Sequence, residues 1–156
     1  MASEQTLVII KPDALTRGIV GSILGRFEQK GLKIIACKLT HLSEAQLHEH
    51  YAHHKAKPFF PGLIEFMRSA PSIVVALEGN NVVDIVRRMC GETSGAKAGP
   101  GTIRGDYSLS NQNNIVHASD SVDAAKVELK RFFKDDELFH YHRIDYEMLY
   151  AKDERK

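Results

Sequence analysis

The chain of 156 residues has only two cysteines, Cys37 and Cys90, and no C-x-x-C pair. That excludes a thiolate zinc site and a disulfide framework. Long apolar runs are missing too: a stretch such as Ile73 to Leu77 is far too short to span a bilayer. The opening residues, Met1 to Thr6, lack the apolar core of a secretory leader. Neither sign of charge dominates, because 21 Lys and Arg face 20 Asp and Glu for a net charge of +1. A near-neutral chain offers no bulk attraction to nucleic acid or to a membrane surface. The expectation is a soluble, cytoplasmic protein with no membrane partner and no nucleic acid as its primary partner.

Familiar site motifs are also absent. No G-x-x-x-x-G-K-[ST] occurs, since Lys97 follows Ala96, and Gly99 to Gly105 misses the G-x-G-x-x-G spacing by one residue. His48-Glu49 begins an H-E-x-x-H pattern, but Ala52 stands where the second histidine belongs. His50 and His54 fall on one helix face, yet no third ligand is evident. A solvated histidine cluster is the simpler reading than a metal site.

What is present is an ordinary globular composition, 43% hydrophobic and 26% charged. Thr6 to Ile10 is an apolar, β-branched run ended by Lys11-Pro12-Asp13, which predicts a buried strand. Ile19, Val20, Ile23, Leu24 and Phe27 recur at helical spacing, with Gly31 at the stop position. Lys33 to Thr40 predicts a second strand. Ser43 with Gln46 forms a capping box opening another helix. Pro58 to Gly62 interrupts, and Leu63 to Arg68 predicts a short helix. Ser72 to Leu77 predicts a third strand, and Asn80 or Asn81 would cap a helix through Arg88. Asn114 to His117 predicts a fourth strand, and Ser119 or Asp120 would cap a last helix carrying Val122, Ala125, Leu129, Phe132 and Phe133. The order reduces to βαββαβ, an α/β (α+β) pattern that favours a ferredoxin-like, four-stranded antiparallel sheet with helices on one face. One domain would cover 1–156, with 134–156 as a tail on the body or on a neighbouring subunit.

Between these elements lies Glu92 to Asn114, rich in Gly, Ser and Asn and without periodicity. A loop this long inside a compact domain is usually functional or disordered. Arg87, Arg88 and Arg104 bracket it, and arginine forks with glycine-exposed amides suit phosphate oxygens; a solvated loop with surface arginines accounts for the composition equally well. His117 ends a strand just before a helix cap. There an imidazole lies beside amides that favour anions, and it can attack phosphorus. The helix folding back would bring Glu128 near the ring. A buried, satisfied histidine is the plainer alternative. Lys11 ends the first strand as a phosphate or sugar contact or a strand-edge lysine. Phe59 and Phe60 are core residues or an exposed lid able to stack on a base.

Taken together, these segments resemble the nucleoside diphosphate kinase family: Thr6 to Asp13, His50-Tyr51 with Pro58 to Leu63, Gly91-Glu92-Thr93, Pro100 to Asp106, and Asn114 to Ser121. The resemblance implies a ping-pong phosphotransferase. It would carry the γ-phosphoryl group of a nucleoside triphosphate to a nucleoside diphosphate through a phosphohistidine, with broad base and sugar specificity. His117 would be the nucleophile, supported by Glu128, Ser119 and Lys11. Lys11, Tyr51, Arg87, Thr93 and Arg104 would hold phosphates, Lys11 and Asn114 the ribose, and Phe59 with Leu63 the base. Mg²⁺ would be held mainly through nucleotide phosphates, with no protein ligands. A homo-oligomer is implied, a hexamer before a tetramer. Two positions depart from the family pattern. Ala118 replaces the usual glycine, a cost if the backbone there needs positive φ, and Asn111 stands where an apolar residue is common. The rival reading is a non-catalytic oligomeric nucleotide-binding or regulatory module on the same fold.

Overall fold

A computed structural model describes residues 3–155. Its elements run β1 (Glu4–Ile10), α1 (Pro12–Thr16), α2 (Val20–Gln29), β2 (Lys33–Thr40), α3 (Glu44–His50), α4 (Phe60–Arg68), β3 (Ser72–Gly79), α5 (Val82–Cys90), α6 (Ile103–Tyr107), β4 (Val116–Ala118), α7 (Val122–Phe132) and α8 (Tyr146–Leu149). The four strands form one sheet in the order β2-β3-β1-β4, with every pairing antiparallel. This is the ferredoxin-like arrangement.

Helices cover both faces of the sheet, not one. On β1, Val8 and Ile10 point into a layer with Ile23 and Phe27 of α2 and Val82 and Val86 of α5. Leu7 and Ile9 point the other way, among Leu47 of α3, Leu63 and Met67 of α4, and Leu129 and Phe132 of α7. The cause is in the strands. Leu7 to Ile10 and Val74 to Leu77 are apolar at every position, and such runs are buried on two sides. Each fully buried Leu, Ile or Phe adds about 1.5–3 kcal/mol of transfer free energy.

Local signals act as the residues dictate at most boundaries. Ser43 Oγ accepts from the Gln46 amide at 3.1 Å, and Gln46 Oε1 accepts from the Ser43 amide at 3.0 Å, closing the box that starts α3. Gly31 ends α2 at φ +90°, a conformation that L side chains rarely adopt. Other boundaries move. α4 begins at Phe60 rather than Leu63, because Pro61 fits the first turn of a helix. α5 extends to Cys90 with Asn81 as its cap residue, at φ +52° and without a side-chain cap bond. β4 is Val116–Ala118, two residues later at its start than expected. The cap of α7 is Ser121, whose hydroxyl accepts from the Ala124 amide at 3.1 Å, not Ser119 or Asp120. α6 arises inside the long loop, started by Thr102, whose hydroxyl accepts from the Gly105 amide at 3.0 Å.

After α7 the chain returns along the start of β2. The Phe139 amide donates to Ile35 O at 2.8 Å, Tyr141 Oη to Ile34 O at 2.6 Å, and Arg143 Nη1 to Leu32 O at 2.9 Å. Among the described residues no helix is long and apolar enough to cross a membrane.

Candidate active site

β4 lies against β1, with Ile9 opposite His117 and Val8 opposite Ala118. This register sets His117 beside the end of the central strand, where Lys11 follows. The Lys11 amide donates to Ile115 O at 2.8 Å. Ile115 sits at φ +74°, rare for a β-branched residue, and its amide donates to Asp13 Oδ2 at 3.1 Å. Strain of this kind persists only where surrounding bonds enforce it, and here they fix Asn114 immediately before it.

A cavity of about 440 Å³ opens at this end of the sheet. Lys11, Tyr51, Phe59, Leu63, Arg87, Thr93, Arg104, Asn114, His117 and Glu128 all line it, together with Asn111. Ser119 lies behind the wall and is fully buried. The fold thus brings to one place every residue to which the family resemblance gives a role. Arg88 is outside it, paired with Asp84 on α5 at 3.0 Å.

The inner end of the cavity is a linked polar frame. Lys11 Nζ donates to Asn114 Oδ1 at 2.6 Å, and Asn114 Nδ2 donates to Thr93 O at 2.8 Å. Arg104 donates from Nε to Asn114 O at 3.2 Å, from Nη1 to Gly91 O at 2.8 Å and from Nη2 to Val116 O at 2.7 Å. A guanidinium carries five N–H groups, so two remain for an anion. Burial, with Arg104 nearby, lowers the Lys11 pKa from 10.5 to about 8. The Tyr51 hydroxyl is buried without a hydrogen-bond partner, and burial raises its pKa. A buried orphan hydroxyl in a cationic cavity suits a ligand oxygen. Arg87 pairs with Asp120 at the rim.

His117 Nε2 meets Glu128 Oε1 at 3.1 Å, and Ser119 Oγ donates to Glu128 Oε2 at 2.5 Å. Burial disfavours the Glu128 charge, but the bonds from His117 and Ser119 and the charge of Arg131 outweigh it and hold the carboxyl below the usual range. A carboxylate only accepts, so the His117 ring proton belongs on Nε2 and the Nδ1 lone pair is left unprotonated.

His50 corrects the solvated-cluster expectation. It is buried, and its ring packs edge-on against His117 with centroids 4.4 Å apart. His50, His117 and Glu128 bring donor atoms within 4.8 Å of one another. Arg131 Nη1, however, contacts His50 Nδ1 at 3.1 Å, placing a permanent cation on that lone pair. The trio is therefore a poor cage for a metal ion. The other cavity carboxylates do no better: Asp120 pairs with Arg87, leaving Glu92. The donor set suits phosphate, and any Mg²⁺ would sit on the phosphates with its waters. Sequence reasoning missed Asp13, Asp120 and Arg131. No spacing signal marks them, because their partners lie 102, 33 and 81 residues away in the chain.

Ala118 has no positive φ, since among the described non-glycine residues only Asn81 and Ile115 do. The anticipated backbone cost therefore does not arise.

The family model described as nucleoside diphosphate kinase matches residues 4–138. The chain belongs to the nucleoside diphosphate kinase family. It is 52% identical to the nucleoside diphosphate kinase of Parabacteroides distasonis over 97% of this chain and 99% of that one. It is 53% identical to that of Staphylothermus marinus over 90% of this chain and all of that one. The solved nucleoside diphosphate kinase of Halobacterium salinarum, in complex with CDP, superposes with a TM-score of 0.94 at 41% identity, over 96% of this chain and all of that one. The family is a nucleotide phosphotransferase family, and the cavity chemistry agrees with it.

Proposed function

We propose that this kinase passes the γ-phosphoryl group of a nucleoside triphosphate to a nucleoside diphosphate through a phosphohistidine on His117 Nδ1. The supporting observation is the His117–Glu128 contact at 3.1 Å, which occupies Nε2 and leaves Nδ1 as the nucleophile in a cavity lined by Lys11, Arg87 and Arg104. The Nδ1 lone pair attacks the γ-phosphorus. The bond to the β,γ-bridging oxygen breaks, and its electron pair leaves on the nucleoside diphosphate. A second nucleoside diphosphate then attacks the phosphohistidine through a β-phosphate oxygen, and the N–P bond returns its pair to Nδ1. Glu128 balances the positive charge the ring acquires, and Ser119 orients Glu128.

Phosphoryl transfer needs positioning and charge neutralisation more than proton movement. Lys11, Tyr51, Arg87, Thr93 and Arg104 are assigned to the phosphates, and Lys11 with Asn114 to the ribose. Phe59, 45% exposed, and Leu63 flank the base. Mg²⁺ dependence is part of the proposal, with the ion supplying further charge neutralisation on the phosphates. The CDP complex of the Halobacterium relative supports a nucleoside diphosphate as partner.

We further infer a cytoplasmic homo-oligomer, a hexamer in preference to a tetramer, with 134–156 as a tail of a single domain. Exposed Leu39, Leu109, Ile144 and Met148 support subunit contacts. The rival binding module is disfavoured because His117 and its support are intact. Intact mass after brief incubation with ATP and Mg²⁺ tests the assignment. The expected result is a gain of about 80 Da, one phosphoryl group, that is lost on adding GDP and is absent from His117→Gln. Tight nucleotide binding without mass gain would favour the binding module.

A further inference from the structure

His50 is the last residue of α3, and its side chain is almost wholly buried. Its neighbours come from every side: His117 from β4, Glu128, Arg131 and Phe132 from α7, and the adjoining Tyr51. His53 and Lys11 add positive charge from farther off. Arginine donates and never accepts, so its contact at 3.1 Å makes Nδ1 of His50 the acceptor and puts the ring proton on Nε2. Arg131 is itself held by Glu49, Nε to Oε1 at 3.0 Å. Glu128 Oε1 lies between the two imidazoles, 3.1 Å from His117 Nε2 and 3.9 Å from His50 Nδ1. A proton on His50 Nδ1 would let that ring compete for the same carboxylate oxygen.

We propose that Arg131 and His50 are positioning residues that reserve Glu128 for His117. Arg131 caps the His50 lone pair, so His50 stays neutral and forms a wall for the His117 ring instead of a second claimant on Glu128. Burial, then the charges of His117 and Arg131, push the His50 pKa down to about 2, in keeping with this role. Neither residue lines the cavity, so neither touches nucleotide directly. The inference rests on the assignment of His117 as nucleophile.

Nitrogen-15 NMR of histidine-labelled protein tests the first half without a substitution. His50 should show an Nε2–H tautomer and no titration between about pH 5 and 9. An Nδ1–H tautomer, or a titration in that window, would overturn the proposal. The second half is tested by the pH profile of His117 phosphorylation. Arg131→Met should lose about tenfold in kcat/KM near pH 6, less than the roughly 100-fold that a full 1 Å misplacement can cost, and recover most of it near pH 8.5, with nucleotide KM little changed. Arg131→Lys, which keeps a donor, should restore the acid limb, and adding His50→Phe to Arg131→Met should remove its acid sensitivity. A loss that is even across pH, or a double variant as acid-sensitive as Arg131→Met, would refute the role. Failure of the wild-type protein to phosphorylate on His117 would instead sink the nucleophile assignment, so the two failures are distinguishable.

Discussion

The two ends of the cavity are built differently. At the inner end, which the proposal gives to the phosphates, Lys11, Asn114, Thr93 and Arg104 are tied together by bonds to Asn114 Oδ1 and to four backbone carbonyls. At the outer end, which the proposal gives to the base, Phe59 is half-exposed, His54 packs on Phe59 with ring centroids 5.2 Å apart, and Asn111 is exposed on the loop. A pre-ordered frame stabilises charge where bonds change without reorganising. A loose, aromatic end holds any base by its π-face without reading its edge. On the proposed assignment, the contrast would make one site strict about phosphate geometry and tolerant of the nucleoside.

The largest effect should come from breaking the frame. Arg104→Ala leaves three carbonyl acceptors without their donor, at about 1–3 kcal/mol for each one buried. A loss of about 3 kcal/mol or more is expected, on the order of 10 °C in Tm for a chain of this size. Calorimetry and phosphotransfer assays check it, and a fall in activity with an unchanged Tm would show that Arg104 only contacts phosphate. Next is the charge of Lys11. Its folded pKa, about 8, lies below the ordinary 10.5. Between these values the folded state has lost the proton that the unfolded state still binds. This group's contribution to stability therefore rises with pH in that window, while its attraction for phosphate falls. ADP affinity measured by calorimetry should weaken as pH rises past about 8, and Lys11→Met should remove that dependence.

At the loose end the effect is smaller. Phe59→Ala should raise KM about fivefold for purine and pyrimidine nucleotides alike, the low end of base–aromatic stacking, with kcat nearly unchanged. A change confined to one base would contradict reading by stacking. Smallest is Ala118→Gly. Ala118 lies in β4 without positive φ, so glycine relieves no strain there and adds chain entropy to the unfolded state. The variant should be about 0.5–1 kcal/mol less stable by urea denaturation, with activity retained.

The same contrast governs what the sequence made legible. β2 lies at Lys33–Thr40 as its pattern predicts, and the Ser43 capping box forms as written. Both depend on neighbours a few residues away. α6 is hidden in the sequence because glycines surround it and only the Thr102 cap announces it. The α7 cap falls one residue beyond Asp120 and two beyond Ser119, because all three residues from Ser119 to Ser121 can cap. Only the tertiary fold takes Ser119 to Glu128 and Asp120 to Arg87, leaving Ser121 for the helix. The two-sided core was readable in the unbroken apolar runs of β1 and β3, once these were set against the rule for half-buried strands. His50 was unreadable, since a histidine near others at helical spacing looks the same in solvent or in the core. Its burial comes from α7, about 80 residues later.

The proposed chemistry requires that Nδ1 of His117, and not Nε2, carries the phosphoryl group. Heteronuclear NMR of the phosphoenzyme formed with ATP and Mg²⁺, correlating phosphorus with the ring nitrogens, measures this directly. Because Nε2 is engaged by Glu128 at 3.1 Å, the phosphoryl group is expected on Nδ1. Phosphorus bonded to Nε2, or to another side chain, would contradict it.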